Sequence, residues 1–188
     1  MRGRRWFLLG MAFVLGVCVS MWFYVDIDWS SFMATRWVKK EESRRWDVIA
    51  GRGLVYGSGI MVVIDDARVR GGGEDATARL VVHEGHLLRL VNELFAAGAE
   101  AVSVNGERIT AVTAMRCVGP AIRINDTNTV PPYEVKAIGN AMVLKSSIMM
   151  MGGVVDAMSI KGMKVDVKEM KQLVIEPYRG EFSLRYTD

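Results

Sequence analysis

The sequence predicts an α+β fold: two main helices packed on a mixed, mostly antiparallel sheet, ferredoxin-like in spirit, preceded by one transmembrane helix. Three observations predict it. An uncharged run, Trp6 to Val25, opens the chain. Leu87, Leu90, Val91 and Leu94 recur at helical spacing. Asn105-Gly106 stands between two apolar runs, the pattern of a tight β-hairpin. Helices mixed with hairpin-connected strands imply layered α+β packing.

The N-terminal element follows from length and flanks. Met1-Arg-Gly-Arg-Arg5 precedes twenty residues without a charge. At about 1.5 Å rise per residue, a helix of that length spans about 30 Å, the hydrocarbon thickness of a bilayer. Trp6, Trp22, Phe23 and Tyr24 lie at its ends, where amphipathic rings favour the interface. The run exceeds a usual signal-peptide core and no A-x-A-like cleavage site follows, so it reads as an uncleaved anchor. Arg2, Arg4 and Arg5 on one flank, against Asp26 and Asp28 on the other, favour an N-terminus inside and a domain outside the cytoplasm. Residues 1–5 are then a cytoplasmic tail, 6–25 the anchor, 26–50 a connector, 51–180 the globular domain and 181–188 a tail.

The connector carries Trp29, Phe32, Trp37 and Trp46 among charges, which predicts a short amphipathic helix. It would lie on the membrane surface or form a short coiled-coil stalk, although sustained heptads are absent. In the domain, Ile60-Met-Val-Val-Ile64 reads as a strand buried on both faces, ended by Asp65 and Asp66. Gly71–Asp75 reads as a flexible loop. A helix is expected over about Glu84–Ala97, capped by Gly98, with Ala101–Val104 as the following strand. Arg108–Cys117 would be the return strand after the Asn-Gly turn, and Ala121–Asn125 and Tyr133–Ile138 further strands. Asn140 is placed to cap a second helix over Ala141–Met151. Lys164–Lys168 and Leu173–Ile175 read as two closing strands.

Charge excludes one class of function. Three of the 24 Lys and Arg precede the anchor, leaving 21 against 21 Asp and Glu in residues 26–188. A neutral domain lacks the footprint of a nucleic-acid binder. Of two cysteines, Cys18 lies in the anchor and Cys117 in an apolar run, where a buried inert thiol is expected.

Four segments, Gly59–Asp66, Leu87–Ile109, Arg116–Asn125 and Tyr133–Gly139, fall in an order and spacing that resembles the domain of unknown function 881 family, the YlxW/YlxX-like proteins of Gram-positive bacteria. Met149–Gly153 also fits. The likeness covers about residues 50–178. It implies a membrane-anchored extracytoplasmic domain linked to division, envelope or sporulation, with no established enzymatic activity.

No enzyme site emerges from the residues. His83-Glu84-Gly85-His86 lacks the spacing of a zinc-protease helix, and no third ligand adjoins it in sequence. Neighbouring strand residues Asp65 and Asp66 point to opposite faces. The glycine clusters at 57–59 and 71–73 lack phosphate-loop spacing. Neither a catalytic set, a metal set nor a cofactor is expected. The best candidates for an interaction or anion-binding role are Asn105, Glu107, Arg108 and Arg116, with the two arginines converging on one strand pair. Met149–Met151 reads as adaptable core filling. Expected partners are the bilayer, through the N-terminal helix, and an envelope protein or a second copy of the chain. A small-ligand or anion sensor is the alternative, and a pocket gathering Asp66, His83 and Arg108 would point to an enzyme.

Overall fold

The computed structural model describes residues 29–67 and 81–182. The anchor at 6–25, the Gly71–Asp75 loop and the tail beyond 182 lie outside the described residues. Among the described residues, no helix is long and apolar enough to cross a membrane.

The connector is helical over 21 residues, α1 (Trp29–Ile49). Its described side chains are exposed from Met33 to Trp46. At 3.6 residues per turn, Met33 and Trp37 share one face and Val38, Trp46 and Ile49 another. The single apolar stripe of an amphipathic helix is therefore absent from this part of α1.

Beyond α1, the described residues hold three helices and eight strands in a simple order. β1 (Val55–Asp65) leads to α2 (Glu84–Ala96), then β2 (Ala101–Val104) and the two-residue β3 (Glu107–Arg108). A three-stranded sheet of β4 (Met115–Val118), β5 (Ala121–Ile124) and β6 (Thr127–Thr129) is inserted next. β7 (Tyr133–Ile138), α3 (Ala141–Ile148), α4 (Val154–Ile160) and β8 (Lys164–Ile175) complete the chain.

The main sheet runs β3-β2-β7-β1-β8, with every neighbour antiparallel. β1 and β2 flank β7 and so run parallel to each other, joined through α2. With β8 on the other side of β1, this is the split β-α-β arrangement of a ferredoxin-like sheet. The predicted α+β, mostly antiparallel class holds.

The core forms where one sheet face meets the helices. Ile60, Val62 and Ile64 are fully buried and pair with Ala137, Val135 and Tyr133 of β7. Leu87, Leu90, Val91 and Leu94 of α2 join them, with Leu144 and Ile148 of α3 and Val154 and Met158 of α4. Each such side chain contributes roughly 1.5–3 kcal/mol by leaving water. Met61 and Val63, between the buried positions, are only half-buried. The expectation of burial on both faces is thus corrected: α2, α3 and α4 cover one face of β1 only. On the other face, Ala101, Ile138, Leu173 and Ile175 make a second, smaller cluster.

Two backbone details set the sheet. Asn105 (φ 47°) and Gly106 (φ 84°) both adopt positive φ, as the predicted tight turn requires. Gly59 follows a register shift in the β1–β8 pairing, and a Cβ there would lie 1.9 Å from the Ala137 carbonyl oxygen. Only glycine lets β1 and β7 close at that point.

Three boundaries differ from expectation. The return strand predicted over 108–117 stops at Arg108. Thr113 Oγ1 accepts from the Thr110 N–H at 2.9 Å and makes a turn, and the chain resumes in the small sheet. The helix predicted to Met151 ends at Ile148, because Gly152 takes φ 78° and Gly153 starts α4. The segments 164–168 and 173–175 form one strand of 12 residues.

Candidate functional site

The four predicted residues do not gather into one site. Asn105 is spent on the fold: its Oδ1 accepts from the Glu134 N–H at 2.6 Å, beside its own N–H to the Glu134 carbonyl at 2.8 Å. Glu107 and Arg108 do not project from the turn; they are 6% and 2% exposed. The Glu107 carboxylate accepts from Thr127 Oγ1 at 2.9 Å and Asn125 Nδ2 at 3.2 Å, which ties the small sheet to the main one.

Arg108 faces the opposite way, paired with Ser103 across β2–β3. Its Nη2 donates to the Val48 carbonyl at 2.9 Å. Val48 lies in the last turn of α1, where the macrodipole favours a cation, and its carbonyl also accepts from the Gly51 N–H at 3.0 Å. Arg108 therefore fastens the end of α1 to the outer sheet face. The Tyr178 N–H, bonded to the Gly51 carbonyl at 2.7 Å, adds a second fastening. Burial lowers the Arg108 pKa, and its Nε and Nη1 have no protein partner. Arg116 lies elsewhere, exposed on β4 opposite Arg123, whose Nε donates to Asn128 Oδ1 at 2.8 Å. The expected convergence of Arg108 and Arg116 is corrected: they belong to different sheets.

Asp66, His83 and Arg108 also form no common pocket. Asp66 Oδ1 accepts from the Val82 N–H at 2.8 Å, fixing the approach to α2. His86 Nδ1 accepts from the His83 N–H at 3.0 Å and caps the first turn of that helix. Glu93 bridges two elements: Oε2 accepts from the Val154 N–H at 3.1 Å, at the start of α4.

The structure assembles a cluster the sequence hides. Cys117 is exposed, not buried, and β4 carries it to the N-terminus of α2. Its Sγ donates to Glu84 Oε2 and lies 3.7 Å from His83 Nδ1. Partial enclosure, then the Glu84 contact, push the Cys117 thiol pKa up; the Cys117 hydrogen bond holds Glu84 below the usual carboxylate value. Burial first, then Asp66 and Cys117, push the Tyr133 hydroxyl up to about 12. The His-Glu pair was visible in sequence. Its third member stands 33 residues further on, and four apolar or small neighbours disguised it as a core thiol.

A second feature reverses an expectation. Met149, Met150 and Met151 are 51%, 61% and 95% exposed, so they do not fill the core. Met142 and Val143, in the first turn of α3, are also exposed. Together they form an apolar stripe that runs from the outer side of α3 onto the turn after its end at Ile148. Leu144 and Ile148 hold the inner side. A groove of about 310 Å³ lies on the other sheet face, lined by Val48, Leu54, Tyr56, Ala101 and Ile138 with Arg44 and Glu100.

Comparison with known proteins gives a family and a fold. The family model described as "Bacterial protein of unknown function (DUF881)" matches residues 42–188. The UPF0749 protein YlxW of Bacillus subtilis (strain 168) is 33% identical over 73% of this chain and 59% of its own length. The UPF0749 protein Rv1823 of Mycobacterium tuberculosis (strain H37Rv) is 30% identical over 50% of this chain and 34% of its own length. The chain thus spans little more than half, or about a third, of these relatives. A crystal structure of an uncharacterized conserved protein from Mycobacterium tuberculosis superposes with a TM-score of 0.63 at 23% identity. It covers 77% of this chain and 96% of that one, a likeness of fold.

Proposed function

We propose, from the premise that the chain belongs to the DUF881 family of bacterial proteins, that it is a membrane-anchored interaction module whose domain works outside the cytoplasm. The observation that carries this reading is the exposed apolar stripe of Met142 and Val143 on α3 and of Met149 and Met150 just past its end. Methionine is flexible and polarisable, and exposed methionine surfaces adapt to apolar partners. The uncharged Trp6–Val25 segment, with its basic tail, supports anchoring and orientation. The partner is an envelope protein or a second copy of this chain, and the process is division, envelope upkeep or sporulation, as family resemblance implies. Nothing in this reading requires catalysis.

The test uses the full chain in mild detergent, wild type and Met142→Glu/Met150→Glu. Light scattering on a size-exclusion column and cross-linking read the association, and circular dichroism reads the fold. A folded double variant should associate about tenfold or more weakly, as loss of interface anchors does. A wild type that stays monomeric and cross-links to no protein through this stripe contradicts the proposal.

A second reading has its own observation. Arg116 and Arg123 face each other across β4–β5, and like charges so placed repel unless an anion lies between them. Anion sensing would show as a thermal shift with phosphate or polyanionic cell-wall fragments that is lost in Arg116→Ala.

A further inference from the structure

We propose that His83, Glu84 and Cys117 form a binding site for one thiophilic divalent cation of the zinc class. One ligand atom from each residue lies within 4.8 Å of the other two. These are an imidazole nitrogen, a carboxylate oxygen and a thiol sulfur, the donor set that suits zinc and cobalt and does not suit magnesium or calcium.

The spacing fits. A tetrahedral ion with bonds of about 2.3 Å to sulfur and about 2.0 Å to nitrogen separates those two atoms by about 3.5 Å. Cys117 Sγ and His83 Nδ1 stand 3.7 Å apart. The carboxylate needs only a side-chain rotation, because Glu84 already meets the same sulfur.

The fold also holds the donors in place. His83 is the N-cap of α2, extended at φ −106° and ψ 162°, and Glu84 opens the helix. Cys117 is fixed by β4, paired with the fully enclosed Ile122. Two elements distant in sequence thus supply three ligands before any ion arrives. The positive end of α2 favours the thiolate that coordination requires. His86 is committed to the His83 N–H and stays outside the set. Three protein ligands leave a fourth position for water or for an anionic group of a ligand. The site is independent of the methionine stripe and stands or falls separately.

Cobalt(II) alone is the probe, added to the purified, reduced full chain. One equivalent should give thiolate-to-cobalt charge-transfer absorption with the intense visible bands of tetrahedral cobalt, both removed by zinc. Cys117→Ser should abolish the charge-transfer band. His83→Ala and Glu84→Gln should each weaken binding about tenfold or more, in the range seen when a ligand shell is disturbed. Cys18→Ser should change nothing. Thermal melts of the apo-proteins establish that each variant folds. No charge-transfer band at millimolar cobalt, or a band that survives in Cys117→Ser, overturns the proposal.

Discussion

Arg108 shows how a residue can be central without being a binding group. Its charge is buried, it holds one helix-terminal carbonyl, and two of its nitrogens have no protein partner. Removing it leaves the Val48 carbonyl with the Gly51 N–H alone and empties a buried site on the outer sheet face. Arg108→Ala should therefore cost about 2–4 kcal/mol in urea unfolding of the chain, whereas Arg116→Ala, on an exposed strand, should stay within about 0.5 kcal/mol. Equal costs would contradict the helix-fastening role. Tyr133 gives a test by pH. Its pKa is raised from 10.0 to about 12 in the fold, so the folded state keeps the proton longer than the unfolded chain. The stability it contributes is complete below pH 10 and is lost as pH rises from 10 towards 12. Tyr133→Phe should flatten the decline of melting temperature over that window.

Among the elements, β1 is the most demanding. Gly59→Ala places a methyl group against the Ala137 carbonyl, so β7 must move or β1 must bend. The expected loss is about 2–4 kcal/mol, read by denaturant unfolding. A neutral outcome would show that the strand pair absorbs the change. Much of this level was legible in the residues. Leu87, Leu90, Val91 and Leu94 announced α2, and Asn105-Gly106 announced its turn, because both patterns are local. Asn140 was read as a cap and does accept from the Val143 N–H at 3.3 Å. What was not legible depends on distant pairing. Thr110 and Thr113 broke an apparently continuous strand by bonding each other's backbone. Cys117 met His83 and Glu84 only because the small sheet packs beside α2. The methionines at 149–151 gave no sign of their exposure, since the helix stops at Ile148 and leaves them on the turn before α4. Arg108 read as an interaction or anion-binding group because a turn is usually exposed, and the end of α1 covers this one.

At the scale of the whole molecule, the fold separates its surfaces. One sheet face and the helices α2, α3 and α4 make the core. The other face receives the end of α1 through Arg108 and Gly51, so the connector is continuous with the domain at residues 43–51. The outer side of α3 is left to present apolar side chains, and the start of α2 presents the His-Glu-Cys cluster. In the proposed arrangement, the anchor holds these surfaces at the membrane, where a partner is concentrated and weak contacts suffice. The central claim is that the α3 stripe is the contact surface. It is tested most directly by placing a photo-cross-linking amino acid at Met142 or Met150 of the full chain in its native membrane, with Glu181 as a control position. The account predicts an adduct of discrete mass from the two methionine positions alone, lost when the neighbouring Val143 is changed to Glu. No adduct from either position, or equal adducts from all three, would contradict it.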